Sequence, residues 1–200
     1  MAILTSTSNS GWSLLQKAQS ITATCSENAD AQAAIVLAYS ALEAFVSQLE
    51  WLARRETDLP KMQELAVFLM ALEDIRAQLK RKLDAIMVTL TSKRANWGGT
   101  PFQDLAHLKL LRDWCVHPKP VVGNTAKDVA DSCEARFFVE RSLIDESVLG
   151  HHVTWDNVVF VKPVAEWACE TVRAVIAHVL DQLPISDAAT RARLSWQRAV

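Results

Sequence analysis

The sequence predicts an all-α protein, an antiparallel four-helix bundle with short peripheral helices, and three observations carry that prediction. Glycine and proline are scarce, five and six in 200 residues, so the chain has few places where a helix must stop. Half of the residues are hydrophobic, and over long stretches they recur at three- and four-residue steps. The interior glycines Gly98, Gly99, Gly123 and Gly150 fall between those stretches, where they act as punctuation.

Trp12, Leu15 and Ala18 suggest a short helix near the start. Ser26 is placed to cap a first principal helix that runs to about Arg55, with Ile35, Ala38, Leu42, Phe45, Leu49 and Leu52 on one face. Ala34, Ala41 and Ala44 leave room beside it for a close neighbour. A second helix starts near Pro60 and continues to about Ser92, long enough to imply a kink or a break. Within it Lys80-Arg81-Lys82 lies between Leu79 and Leu83, the pattern of a solvated helix face. Thr100, Pro101 and Gln103 read as N-cap, first helical residue and capping-box partner of a third helix that ends near His117. The fourth runs from Pro163 to about Leu183 and is closed by Pro184. Between the third and fourth, Arg136–Glu140 and Val153–Val161 carry β-branched and aromatic residues, suited either to a small β-hairpin or to a segment covering the bundle. Residues 190–200 suggest a last short helix.

At this length one sizeable core is expected, and the whole chain, 1–200, reads as a single domain. Its core spans about 26–183, with peripheral tails at 1–25 and 184–200. The net charge of -2 gives no overall basic field, so a nucleic-acid partner would be gripped locally and DNA is not expected. Cys25, Cys115, Cys133 and Cys169 are widely spaced, without a C-x-x-C pair, and read as reduced thiols. Neither a metal site nor a cofactor is expected, since adjacent His151 and His152 lack suitably spaced companions. The start has no basic, apolar leader, and no run approaches the roughly 18 apolar residues of a membrane span. The expectation is a soluble cytoplasmic protein with no membrane partner.

The chemistry-bearing feature is Arg112-Asp113-Trp114-Cys115-Val116-His117, followed by Pro118-Lys119-Pro120. An always-charged guanidinium and an imidazole stand five positions apart where proline stops the helix. Such a pair suits phosphodiester chemistry, because Arg neutralises phosphate and His moves a proton near pH 7. Spacing alone is weak: with twelve Arg and five His, about one chance match to this pattern is expected. Arg173 and His178 supply that match inside the fourth helix, with no terminator beside the His, and read as structural. Glu43, one turn from Tyr39, needs a partner such as Arg112 if it is partly buried. Lys119 is placed to touch a phosphate.

The stretch Leu111 to Pro120 resembles the signature of HEPN domains, an Arg and a polar residue followed after several positions by a His. Ala38-Tyr39-Ser40-Ala41-Leu42-Glu43-Ala44-Phe45 resembles the first-helix segment of uncharacterised bacterial members, and the resemblance covers roughly residues 31–120. It implies a homodimer that brings two motifs into one cleft and, in many members, a metal-independent endoribonuclease acting as a toxin or defence component under the control of an antitoxin-type protein partner. It assigns proton transfer to His117, transition-state charge stabilisation to Arg112 and an orienting role to Asp113. RNA follows as substrate because it carries the 2′-hydroxyl nucleophile. Other HEPN-like proteins are non-catalytic interaction or assembly modules, which is the alternative.

Overall fold

The computed structural model describes residues 10–117, 133–150 and 158–186, together with positions 190 and 196. Among the described residues there are seven α-helices and one 3-10 turn, and no strand. The helices are α1 (Ser10–Ala23), α2 (Asn28–Arg55), α3 (Pro60–Asp74), α4 (Leu79–Thr91), α5 (Phe102–Val116), α6 (Cys133–Glu140) and α7 (Lys162–Gln182); the 3-10 turn is Glu146–Gly150. The architecture is an all-helical bundle with α2 at its centre and α1, α3, α5 and α7 packed around it.

α2 owes its central place to its composition. Ala31, Ala34, Ala38 and Ala41 alternate with Ile35, Leu42, Phe45, Val46 and Leu49, and all of them are buried. This apolar surface is too wide for a single neighbour and is shared among several. α2 is also long and apolar enough to cross a membrane by length and composition, at a mean hydropathy of 1.3, with half of that window buried in the bundle. The expectation that no run approaches such a length is therefore corrected; the alanines that raise the hydropathy serve close helix packing. The cap also differs from expectation. Glu27 is the N-cap and its side chain caps no first-turn N–H; Ser26 instead uses its own N–H, donating to the Asp30 carboxylate at 3.3 Å.

The second expected helix is two. α3 stops at Asp74, Arg76 takes a left-handed conformation (φ 50°), and α4 starts after Gln78. The Ala77 N–H reaches the Leu72 carbonyl and the Arg76 N–H the Glu73 carbonyl, both at 2.8 Å, the paired closure of a Schellman motif. At α5 the expected Thr100 cap is not formed. Pro101 is the N-cap, preceded by a cis Thr100–Pro101 peptide, and the Gln103 N–H donates to the Gly99 carbonyl at 2.9 Å.

Of the two alternatives for Arg136–Glu140, the hairpin is not formed: this segment is helix α6, and the cause is clear. Adjacent Phe137 and Phe138 are both buried, and both meet Trp167 edge-on, at 5.7 and 5.3 Å. A strand would send neighbouring side chains to opposite faces; a helix lets both reach one core. Of the second half, 153–157 lie outside the described residues, while Val158, Val159 and Phe160 are buried.

Described parts of the expected periphery pack into the core. Leu15 and Ala18 of α1 are buried, and a side chain on Gly11 would meet the Ala41 carbonyl at 3.1 Å and Ala44 at 3.2 Å. Near the other end, Trp196 is buried edge-on against Phe45 at 5.3 Å and Trp12 at 6.2 Å. α7 presents Val164, Ala168, Val172, Val175 and Val179 inward and ends at extended Leu183, as the following Pro184 requires.

Candidate functional site

α5 lies against α2, and this contact builds the site. Arg112 projects from the last turns of α5 onto the middle of α2. Its guanidinium sits over the Tyr39 ring at 5.2 Å, with Nη2 3.8 Å from Glu43 Oε1 and Nη1 donating to Asp113 Oδ1 at 3.0 Å. Its Nε is buried, with no hydrogen-bond partner among the described residues. The guanidinium is thus held on three sides, and about a quarter of the side chain (27%) remains exposed.

Asp113 is shared. Lys109, one turn earlier on α5, donates to its second carboxylate oxygen. Burial pushes the Asp113 pKa up, but the hydrogen bonds from Lys109 and Arg112 outweigh it and hold the carboxyl below its ordinary value. Tyr39 moves the other way: burial first, and then the Glu43 charge, raise its hydroxyl well above the ordinary phenol, so it stays neutral at every physiological pH. Lys109 and Arg112 are balanced by Glu43 and Asp113, so an incoming anion gains the guanidinium by displacing a carboxylate. Glu43 is the looser of the two, at the longer distance and 44% exposed.

His117 is the C-cap of α5 and is exposed, its N–H donating to the Asp113 carbonyl at 2.8 Å. No hydrogen bond joins its ring to Arg112 among the described residues. The structure therefore brings together Tyr39, Glu43, Lys109, Arg112 and Asp113, and leaves His117 at the rim where the helix ends. Lys119, Pro118, His151 and His152 lie outside the described residues. The Glu43–Arg112 pairing was legible from Glu43 standing one turn after Tyr39 beside the apolar stripe. For Lys109 the only local signal in the sequence is its i,i+4 spacing to Asp113.

The other Arg–His pair behaves differently: Arg173 pairs with Glu170 at 3.5 Å, and His178 meets Phe102 edge-on at 5.4 Å inside the bundle. A second polar cluster had no sequence signal. Asp104, buried in the first turn of α5, accepts from Arg141 Nη2 at 2.6 Å and Nη1 at 3.2 Å. Arg141 in turn covers Phe137, on which His107 stacks at 3.7 Å. Among the described residues no group of three or more His, Cys, Asp or Glu converges as a metal site would. Comparison with known protein families, curated proteins and solved structures found no match.

Proposed function

We propose that this chain is a HEPN-type, metal-independent endoribonuclease that acts in the cytoplasm as a homodimer, restrained by a protein partner. Its four principal helices are then α2, the broken α3–α4 pair, α5 and α7, running antiparallel. The observation that carries the reading is the anchored guanidinium: Arg112 is fixed by Tyr39, Glu43 and Asp113 in the turn of α5 that leads to an exposed His117. A cation aimed by its surroundings stabilises developing negative charge without reorganising during the reaction.

In this reading a neutral His117 removes the proton of a ribose 2′-hydroxyl, and the oxygen attacks the adjacent phosphorus. Arg112 exchanges Glu43 for the phosphoryl oxygens, where its planar fork suits the charge that develops. The bond to the 5′-oxygen breaks, a protonated His117 of the second copy supplies its proton, and the products end in a 2′,3′-cyclic phosphate and a 5′-hydroxyl. Asp113, held ionised by Lys109 and Arg112, keeps the guanidinium in register.

A second reading, a non-catalytic interaction module, rests on the same guanidinium being already engaged by two carboxylates. The two are separated by incubating the purified chain with varied RNAs in EDTA and analysing the ends. The enzyme reading expects cyclic-phosphate ends, lost in His117→Ala and Arg112→Ala at unchanged circular dichroism. Activity retained in both variants would overturn the site, and no cleavage of any RNA by the parent chain would favour the module.

A further inference from the structure

The outer side of α3 is the least accounted-for surface of the bundle. Leu65-Ala66-Val67-Phe68-Leu69-Met70-Ala71-Leu72 is an unbroken apolar run of eight residues, so the helix is apolar all round at this point. Such a helix belongs in an interior. Yet only one side is covered: Met62, Leu65, Ala66 and Leu69 are buried against the bundle. On the other side Val67 is 66% exposed, Phe68 46%, Met70 40% and Ile75, just past the helix end, 66%. Val67, Phe68, Ala71 and Ile75 follow one another at helical spacing, so these side chains form a continuous ridge rather than scattered exposures.

Glu64 and Asp74 stand at the edges of this ridge, and past Ile75 the chain turns positive. Arg76, Lys80 and Arg81 are exposed and make no ion pair among the described residues. Lys80 is braced over the Trp97 ring at 4.6 Å, and Trp97 is itself fixed by its Nε1–H donating to Asp84 at 2.9 Å. The one acid between Arg76 and Trp97 thus holds an indole rather than neutralising a cation. Lys82 is paired with Glu73, and Glu64 and Asp74 face the same solvent as the ridge. Across residues 60–82 five basic residues stand against three acidic ones, in a chain whose net charge is -2.

We infer that the outer side of α3, with Arg76, Lys80 and Arg81, is a docking surface for an anionic lipid headgroup layer. Size and shape favour this occupant over a second copy of the chain. A 15-residue helix is about 22 Å long and about 10 Å wide, so its outer side offers roughly 220 Å². A stable dimer needs about 800 Å² from each partner. The surface is also a convex ridge, which inserts into a soft layer rather than receiving a helix. Interfacial attachment asks for just these two components, a few apolar side chains that enter the acyl boundary and cations that meet headgroup phosphates. The inference departs from the sequence-level expectation of no membrane contact and is independent of RNA cleavage, since its test reads vesicle binding alone.

The test is co-sedimentation of the full chain with phosphatidylcholine vesicles, with and without about one-third phosphatidylserine. Binding is expected to the phosphatidylserine vesicles only, weakening as salt is raised. Arg76→Gln/Lys80→Gln/Arg81→Gln should weaken it about 100-fold, at about fivefold per cation. Phe68→Ser/Ile75→Ser should weaken it about 25-fold; Val67→Gln, on the same ridge, serves if that pair lowers the melting temperature. The inference is overturned by no binding to either vesicle, or by binding that the apolar substitutions leave unchanged. It is equally overturned, in favour of a second copy, by a solution dimer that Val67→Gln or Phe68→Ser dissociates.

Discussion

Arg141→Met removes the charge that faces a buried carboxylate while keeping most of the length that covers Phe137. Asp104 has a side chain only 8% exposed, and Arg141 reaches it from a more open position, 34% exposed, with two hydrogen bonds. Breaking a fully buried pair costs about 3–5 kcal/mol; with water at the guanidinium end the loss here should be nearer 2 kcal/mol at pH 7. For a chain of this size that is a drop of about 4–8 °C in melting temperature. The pH dependence identifies the cause. Burial raises the Asp104 pKa above its ordinary 3.8, with Arg141 and His107 pulling the other way. Because the folded value is the higher one, the stability this carboxyl contributes is fully present below the unfolded pKa and is lost as pH rises through the folded one. Without Arg141 the folded value rises further, so the variant should lose most at pH 7 and much less at pH 4. Thermal melts followed at 222 nm at both pH values measure this, and Asp104→Asn/Arg141→Met should show a smaller, pH-independent loss. Equal losses at pH 4 and pH 7 for Arg141→Met would refute the electrostatic argument and leave the packing of Arg141 on Phe137 as the cause.

Phe138→Ala should cost about 3–5 kcal/mol by urea unfolding, since the ring is fully buried edge-on to Trp167. Gly11→Val should cost about 1–3 kcal/mol, because its Cβ would press on the Ala41 carbonyl and on Ala44; a neutral result would show that α1 can shift on α2. Trp97→Phe removes the hydrogen bond to Asp84 and should cost about 1 kcal/mol. In the folded chain the Asp113 carboxyl should titrate below an ordinary aspartate, so the stability it adds is present above the unfolded pKa and lost as pH falls through the folded one. Its carboxyl carbon signal, followed by NMR, should move to a higher midpoint in Lys109→Ala; an unchanged midpoint would remove Lys109 from the account.

The limits of α7 were legible because prolines are local signals, and Pro163 and Pro184 bracket it; α2 ends near Arg55 as expected, but its N-cap is Glu27 rather than Ser26. The break between α3 and α4 was only half legible. The length of the segment demanded an interruption, but no glycine or proline marks where it falls, and Arg76 takes the left-handed position that glycine usually fills. At α6 the composition pointed towards strand, and the shared contact of Phe137 and Phe138 with Trp167, about thirty residues away, decided for helix. The same holds for the candidate site. The Arg112-to-His117 spacing and the suspicion that Glu43 partners Arg112 came from the chain itself, whereas the Tyr39 face under the guanidinium and the unpartnered Nε required α2 and α5 to be in contact.

By itself the sequence determined an all-helical protein, the periodic faces that had to be buried, and a helix end carrying Arg112, Asp113 and His117. These follow from interactions within a few residues of one another, where the helical repeat fixes the geometry. Only the tertiary structure decided that α1 and Trp196 belong to the core, that Asp104 is matched by Arg141, that Arg112 is clamped by α2, and that one side of α3 is left uncovered. Each depends on which distant surface arrives opposite a given face, and a local pattern carries no record of that arrival.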